Sequence, residues 1–188
     1  MLHTFLRRVC AALALCTMLT VPAVLLTGCG GRSAESPIPT QQMPARSMEE
    51  RRASLGPYME ATTAYNSTML PLSLAVSTTV NDLRQGEHLT SIILPPLSKL
   101  RRELDAAHAA PGGTGVYPDV DAATEELRST LEELAPLADQ MENYYAAGAY
   151  TTDGYAQADE MTARFLPLYD RFVSAYDRLD AIVTDHYK

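Results

Sequence analysis

Cysteine is nearly absent: the chain has three in 188 residues, Cys10, Cys16 and Cys29, all near its start. Everything beyond Cys29 is therefore without thiol chemistry, disulfides or thiolate metal sites. Tryptophan is missing and histidine is scarce, with only His88, His108 and His186 beyond the first thirty positions. No Gly-x-Ser-x-Gly elbow, phosphate loop, His-Glu-x-x-His pair or paired-carboxylate arrangement occurs. Without a nucleophile–base set or a ligand cluster, the expectation is a chain that is not an enzyme and carries no cofactor and no metal. Basic charge is also short, with 15 Lys and Arg against 23 Asp and Glu for a formal net charge of −8. Such a surface repels nucleic acid and anionic lipid headgroups, so no nucleic-acid partner is expected.

What the start of the chain does contain is an address. Arg7 and Arg8 precede an apolar run from Val9 to Leu26, broken only by Cys16, Thr17 and Thr20, and Leu26-Thr27-Gly28-Cys29 follows. That order of basic, apolar and small-residue segments is a secretory signal, and its closing cysteine marks the bacterial lipoprotein kind. Cleavage is expected between Gly28 and Cys29, with lipid on the Cys29 thiol, so residues 1–28 form the signal peptide. Two or three acyl chains hold a protein to a bilayer far better than one. The bilayer is thus the first expected partner, reached through acylated Cys29. The expected location is the bacterial cell envelope, and Gly30 in place of aspartate after the cysteine favours the outer membrane, facing the periplasm, over the inner one.

Residues 29–47 are rich in Gly, Ser, Gln and Pro, which predicts a flexible spacer behind the lipid. Residues 48–188 then follow helical periodicity. Tyr58, Thr62, Tyr65, Met69, Leu72, Val76, Val80 and Leu83 mark one face of a long helix ending near Gly86. Ile93, Leu97, Leu100, Leu104 and Ala107 predict a shorter helix around Pro95-Pro96, and Ala109 to Pro118 reads as a loop. A third helix is expected from Asp119, a good cap, to Tyr145, with Val120, Thr124, Leu127, Leu131, Leu134, Ala138, Met141 and Tyr145 facing inward. After a turn over 146–154, Ala158, Met161, Phe165, Leu168, Phe172, Ala175 or Tyr176, Leu179 and Ile182 or Val183 line a fourth. The predicted fold is all-α, an up-and-down antiparallel bundle of about four long helices. Proline inside Leu70-Pro71-Leu72, Ala135-Pro136-Leu137 and Leu166-Pro167-Leu168 implies local kinks.

Few side-chain constellations rise above this pattern. Asp105 and His108 share a helix face but are half of a metal site at best, and a solvated pair is the better reading. Glu125, Glu126, Glu132, Glu133 and Asp139 read as a solvated helix face, and His186 suits the favourable dipole of a helix C-terminus. Tyrosine is the one enriched group, with ten residues. Tyr144, Tyr145, Tyr150 and Tyr155 gather around the third turn, where they serve either core-edge packing or a candidate interaction surface.

The same stretch carries a family pattern. Met141-Glu142-Asn143-Tyr144-Tyr145, then Tyr150, Asp153, Tyr155-Ala156 and Phe165-Leu166, resembles the signature of the YiiG-like bacterial lipoproteins, and Tyr65-Asn66 matches more loosely. The resemblance spans about Met59 to Ala181 and implies an envelope lipoprotein with a mostly helical domain of unknown function. The expected role is a membrane-anchored, non-catalytic binding module whose tyrosine-rich end meets an envelope protein partner. The alternative is a carrier lipoprotein for a small ligand or a metal.

Overall fold

A computed structural model describes residues 47–188; the signal segment, the Gly28–Cys29 cleavage and lipidation pair and the spacer up to residue 46 lie outside the described residues. The first helix, α1 (Met48–Arg84), begins where Ser47 meets Glu50. The Glu50 amide donates to the Ser47 hydroxyl at 3.1 Å, and the Ser47 amide donates to the Glu50 carboxylate at 2.8 Å. This reciprocal pair satisfies two of the amides a helix start leaves without partners. The helix ends as the sequence predicts. Gly86 takes a left-handed φ of 75°, and the Glu87 amide reaches back to the Asp82 carbonyl at 3.0 Å. Glycine has no Cβ to oppose that conformation, so the chain can turn there.

The next helix, α2 (Leu97–Ala109), starts only after Pro95 and Pro96. Ile93, expected on its apolar stripe, lies outside it and is 45% exposed, while Leu94 is buried instead. The reason is local: a residue before proline is pushed out of the helical region, so the helix cannot extend back through Pro95. An extended strap over residues 87–96 therefore occupies the part of this wall that a longer helix would fill. It is fixed where the Ile93 amide donates to the Thr79 hydroxyl at 3.2 Å. Helix α3 (Pro118–Ala146) is capped by Tyr117, with Pro118 in the first turn, so Asp119 is inside the helix and not its cap. A four-residue turn, α4 (Tyr150–Asp153), precedes α5 (Ala156–Tyr187). The bundle thus has three long helices and one of 13 residues, the helix that the sequence predicts to be shorter. Among the described residues there is no strand.

Pairings along the helices fix their directions. Asp119 meets His186 and Glu126 meets Arg178, so α3 and α5 run antiparallel. Ser98 meets Asp139 and Asp105 meets Arg128, which sets α2 against α3 in the same way. Tyr58 reaches the loop beyond α2 at Gly113, while Thr79 meets Ile93 near the strap. Finally Asn66 meets Asp180 and Arg84 meets Asp170, which closes the ring between α1 and α5. The result is the up-and-down bundle expected from the periodicity.

All eight predicted inward positions of α3 are buried, and Leu127, Leu131, Leu134 and Met141 expose nothing. Burying such a side chain contributes roughly 1.5–3 kcal/mol. Leu100 and Leu104 from α2, Phe165 and Leu179 from α5, and Leu55 and Tyr58 from α1 complete the centre. Met69 and Leu72 of the α1 stripe are only half-buried. Pro71, Pro136 and Pro167 all lie inside helices at exposed positions, where the carbonyl each one frees can be hydrated.

Candidate interaction surface

The tyrosines gather where α3 ends, α4 makes its single turn and α5 begins. Two left-handed residues in succession, Gly154 with φ 64° and Tyr155 with φ 72°, make this corner possible. Among the described residues Tyr155 is the only non-glycine with positive φ. An L-residue held that way is strained by roughly 1–2 kcal/mol. Asp153 offsets the strain: one carboxylate oxygen accepts the Tyr155 amide at 3.0 Å and the other accepts the Gln157 amide at 3.2 Å. The first oxygen also accepts the Tyr144 hydroxyl at 2.7 Å. Asp153 thus supplies the cap that α5 does not receive from its own first residue.

Tyr144 and Asp153 shift each other's protonation in opposite senses. The Tyr144 hydroxyl bond, joined by the backbone amides, holds the Asp153 carboxyl below the usual carboxylate range. Desolvation, then the bond to Asp153 and that group's negative charge, push the Tyr144 hydroxyl up to about 12. Burial raises Tyr145 as well, with Tyr155 and Asp159 adding to the effect. At neutral pH the corner therefore holds an ionised Asp153 bonded to a neutral Tyr144.

The strained Tyr155 ring lies between two others. It stacks on His88 with centroids 4.2 Å apart and planes 4° from parallel, and on Tyr150 at 5.1 Å and 19°. Tyr150 continues to Tyr145 at 5.9 Å, and Tyr145 meets Tyr144 edge-on at 5.4 Å. His88 Nε2 lies 3.3 Å from Asp159 on α5. Five rings thus form a row from the core to the surface. The inner end corrects the sequence expectation: Tyr144 and Tyr145 are 7% and 6% exposed, so their rings pack in the core and cannot face a partner. Tyr150 and Tyr155 are half-buried and His88 is exposed. His88 carried no assignment from sequence. Its one local signal is its place just after the Gly86 turn, and its ring partner is far along the chain, at the start of α5.

The remaining candidates resolve into surface pairs. Asp105 accepts from Arg128 at 2.7 Å, apart from His108, whose Nδ1 is buried without a hydrogen bond among the described residues. Among those residues no group of three or more His, Cys, Asp and Glu could hold a metal ion. Glu125 pairs with Arg128 and Glu126 with Arg178, while Glu132 and Glu133 are exposed. His186 pairs with Asp119 at 2.7 Å, in the last turn of α5 as the dipole argument expects. Two hollows of about 330 and 390 Å³ border α1, the first beside Met59, Glu60, Thr63 and Ala64 and the second between Thr79, Asp82 and the strap residues Leu89 to Ile93. Both open to solvent, and neither is lined by the bundle core. No helix among the described residues is long and apolar enough to cross a membrane.

No curated protein and no solved structure matches the chain. A family model described as a protein of unknown function, DUF3829, matches residues 53–185, from the second turn of α1 to the last turn of α5. That stretch covers the whole ring of helices and more than two thirds of the sequence, and the chain belongs to the DUF3829 family.

Proposed function

We propose that this chain is an acylated envelope lipoprotein of the YiiG-like kind, whose bundle binds a protein partner with His88, Tyr155 and Tyr150 and catalyses no reaction. The observation that carries the reading is Tyr155. A bulky residue held in a left-handed conformation persists only where its surroundings over-determine it, and such strain concentrates at functional positions. Here the strained ring is half-exposed and stacked on both faces, which gives a rigid aromatic ledge with little rotamer freedom left to lose on binding. The lipid on Cys29 and the polar spacer supply tether and reach, and Leu26-Thr27-Gly28-Cys29 supports that assignment.

The test uses Tyr155→Gly together with Tyr150→Ala. Glycine relieves the φ strain while removing the ring, so the fold survives and only the ledge is lost. Recovery of a crosslinked envelope partner should vanish while the melting temperature stays within a few degrees of the parent. Undiminished recovery would place binding elsewhere. For the anchor, Cys29→Ser should move the protein from the membrane fraction to the soluble one. Retention at the membrane by this variant would remove the lipid from the account.

A further inference from the structure

Helix α1 has an outer face that the bundle does not use. From Ala61 to Asn81 it contains no charged residue, although the domain around it is strongly acidic. Glu60, Thr63, Ser67, Leu70, Leu74, Ser77, Asn81 and Arg84 are all exposed and follow one another by three, four, three, four, three, four and three. That alternation is the heptad spacing of a helix–helix seam, lying away from the stripe that faces the core. Leu70 and Leu74 are 78% and 75% exposed at its centre.

The spacing of the seam reads the same in both directions, and so do its four central residues, Ser67, Leu70, Leu74 and Ser77. We propose that α1 packs antiparallel against α1 of a second copy, about a two-fold axis between Leu70 and Leu74. Leu70 of each copy then meets Leu74 of the other, Ser67 meets Ser77, Thr63 meets Asn81, and Glu60 meets Arg84. Such an interface is isologous, so each contact occurs twice. The serines flanking the leucines are small enough to let two helices approach closely. Pro71 has no amide hydrogen, so the Ser67 carbonyl lacks its helical donor. In this register the Ser77 hydroxyl of the second copy lies opposite Ser67.

Charge selects both the occupant and its direction. Two acidic molecules repel except where they meet through an uncharged strip, and this strip carries one charge of each sign at its ends. Antiparallel packing pairs those ends oppositely, whereas parallel packing sets Glu60 on Glu60 and Arg84 on Arg84. Arg84 already contacts Asp170 of its own chain and can extend the pair into a three-membered one. The seam is roughly 36 Å long at 1.5 Å per residue, and it holds only two leucines per copy. The association is accordingly reversible and concentration-dependent, and it does not depend on the tyrosine ledge.

The experiment co-expresses two differently tagged full-length chains, one carrying Ser67→Cys and the other Ser77→Cys, and oxidises them mildly. Mapping the linked peptides by mass spectrometry separates these links from any through the native cysteines. The expected result is an efficient link between the two variants and little link within either alone. Adding Glu60→Arg to both chains should lower the yield about five-fold, and adding Arg84→Glu as well should restore it. Far-UV circular dichroism checks that each variant is folded. An equally strong Ser67→Cys self-link, absence of the mixed link in folded chains, or a link from Ser77→Cys to a different protein would each overturn the proposal. Tyr155→Gly should leave the link unchanged, which keeps this test separate from that of the ledge.

Discussion

Tyr145 and Tyr150 adjoin in the ring row but differ in what they support, and alanine at each separates packing from surface. The Tyr145 ring is 6% exposed and touches both Tyr144 and Tyr150. Removing a buried aromatic side chain destabilises by about 3–5 kcal/mol, since the cavity adds to the lost transfer energy. Taking the low end because the residue sits at the edge of the core, Tyr145→Ala should destabilise by about 3 kcal/mol. In a folded unit of this size that lowers the melting temperature by about 10 °C. Tyr150 is half-buried in a four-residue turn, so Tyr150→Ala should cost about 1 kcal/mol and about 3–4 °C. Thermal unfolding followed at 222 nm reads both directly. If Tyr145→Ala melts within 3 °C of the parent, or Tyr150→Ala falls as far as Tyr145→Ala, the division of the row into core and ledge is wrong. A combined substitution of the cluster would confound lost binding with lost fold.

Three further outcomes follow from the geometry. A Cβ on Gly113 would lie 2.3 Å from the Ala107 carbonyl oxygen, so Gly113→Ala should displace the loop and break its 2.5 Å bond from Tyr58. A loss of about 2–4 kcal/mol is expected, and Tyr58→Phe added to it should contribute much less than it does alone. Additive losses in that double-mutant cycle would show that the two residues are not coupled. Desolvation by burial raises Tyr65 and Tyr176 well above the usual tyrosine range, so both stay neutral in the fold after an unfolded chain would ionise. Their stabilisation is complete below pH 10 and is lost above it, at roughly 1.4 kcal/mol per pH unit each. The last part of the tyrosinate absorbance should then appear together with the loss of helicity in alkali, and ionisation of all ten tyrosines with helicity retained would refute this. Asp153 has the opposite sign, its carboxyl being held low chiefly by the Tyr144 hydroxyl, so its contribution is present above the usual aspartate range and fades as pH falls below it. Asp153→Asn should therefore flatten the acid limb of the stability profile, and an unchanged limb would count against the cap.

The bundle was legible because its signal is periodic and strong. On α3 every predicted inward residue is buried, and the α1 stop at Gly86 follows from glycine's freedom at positive φ. The departures have local causes. Pro95 excludes Ile93 from α2, and Pro118 fixes the first turn of α3 so that Tyr117, not Asp119, becomes its cap. The turn α4 has four residues, too few for a period to register. The surface end of the ring row depends on His88 of the strap meeting Tyr155 at the start of α5, a pairing that no local pattern encodes. The tyrosine signature located the right corner, but enrichment alone cannot say which rings point inward. Register decides that, and Tyr144 and Tyr145 fall on the buried side of α3.

The outer face of α1 escaped the same reading for a related reason. A periodic search finds the stripe that builds the core and assigns what remains to solvent. On α3 that assignment holds, because Glu125, Glu126, Glu132 and Glu133 occupy the outer side and are exposed. On α1 the outer side between Glu60 and Arg84 carries leucine, serine, threonine and asparagine. Solvation does not require exposed leucines at positions 70 and 74, and the core does not use them. A second helix at heptad spacing would cover both and bring the charges at the two ends together, which solvent alone cannot do.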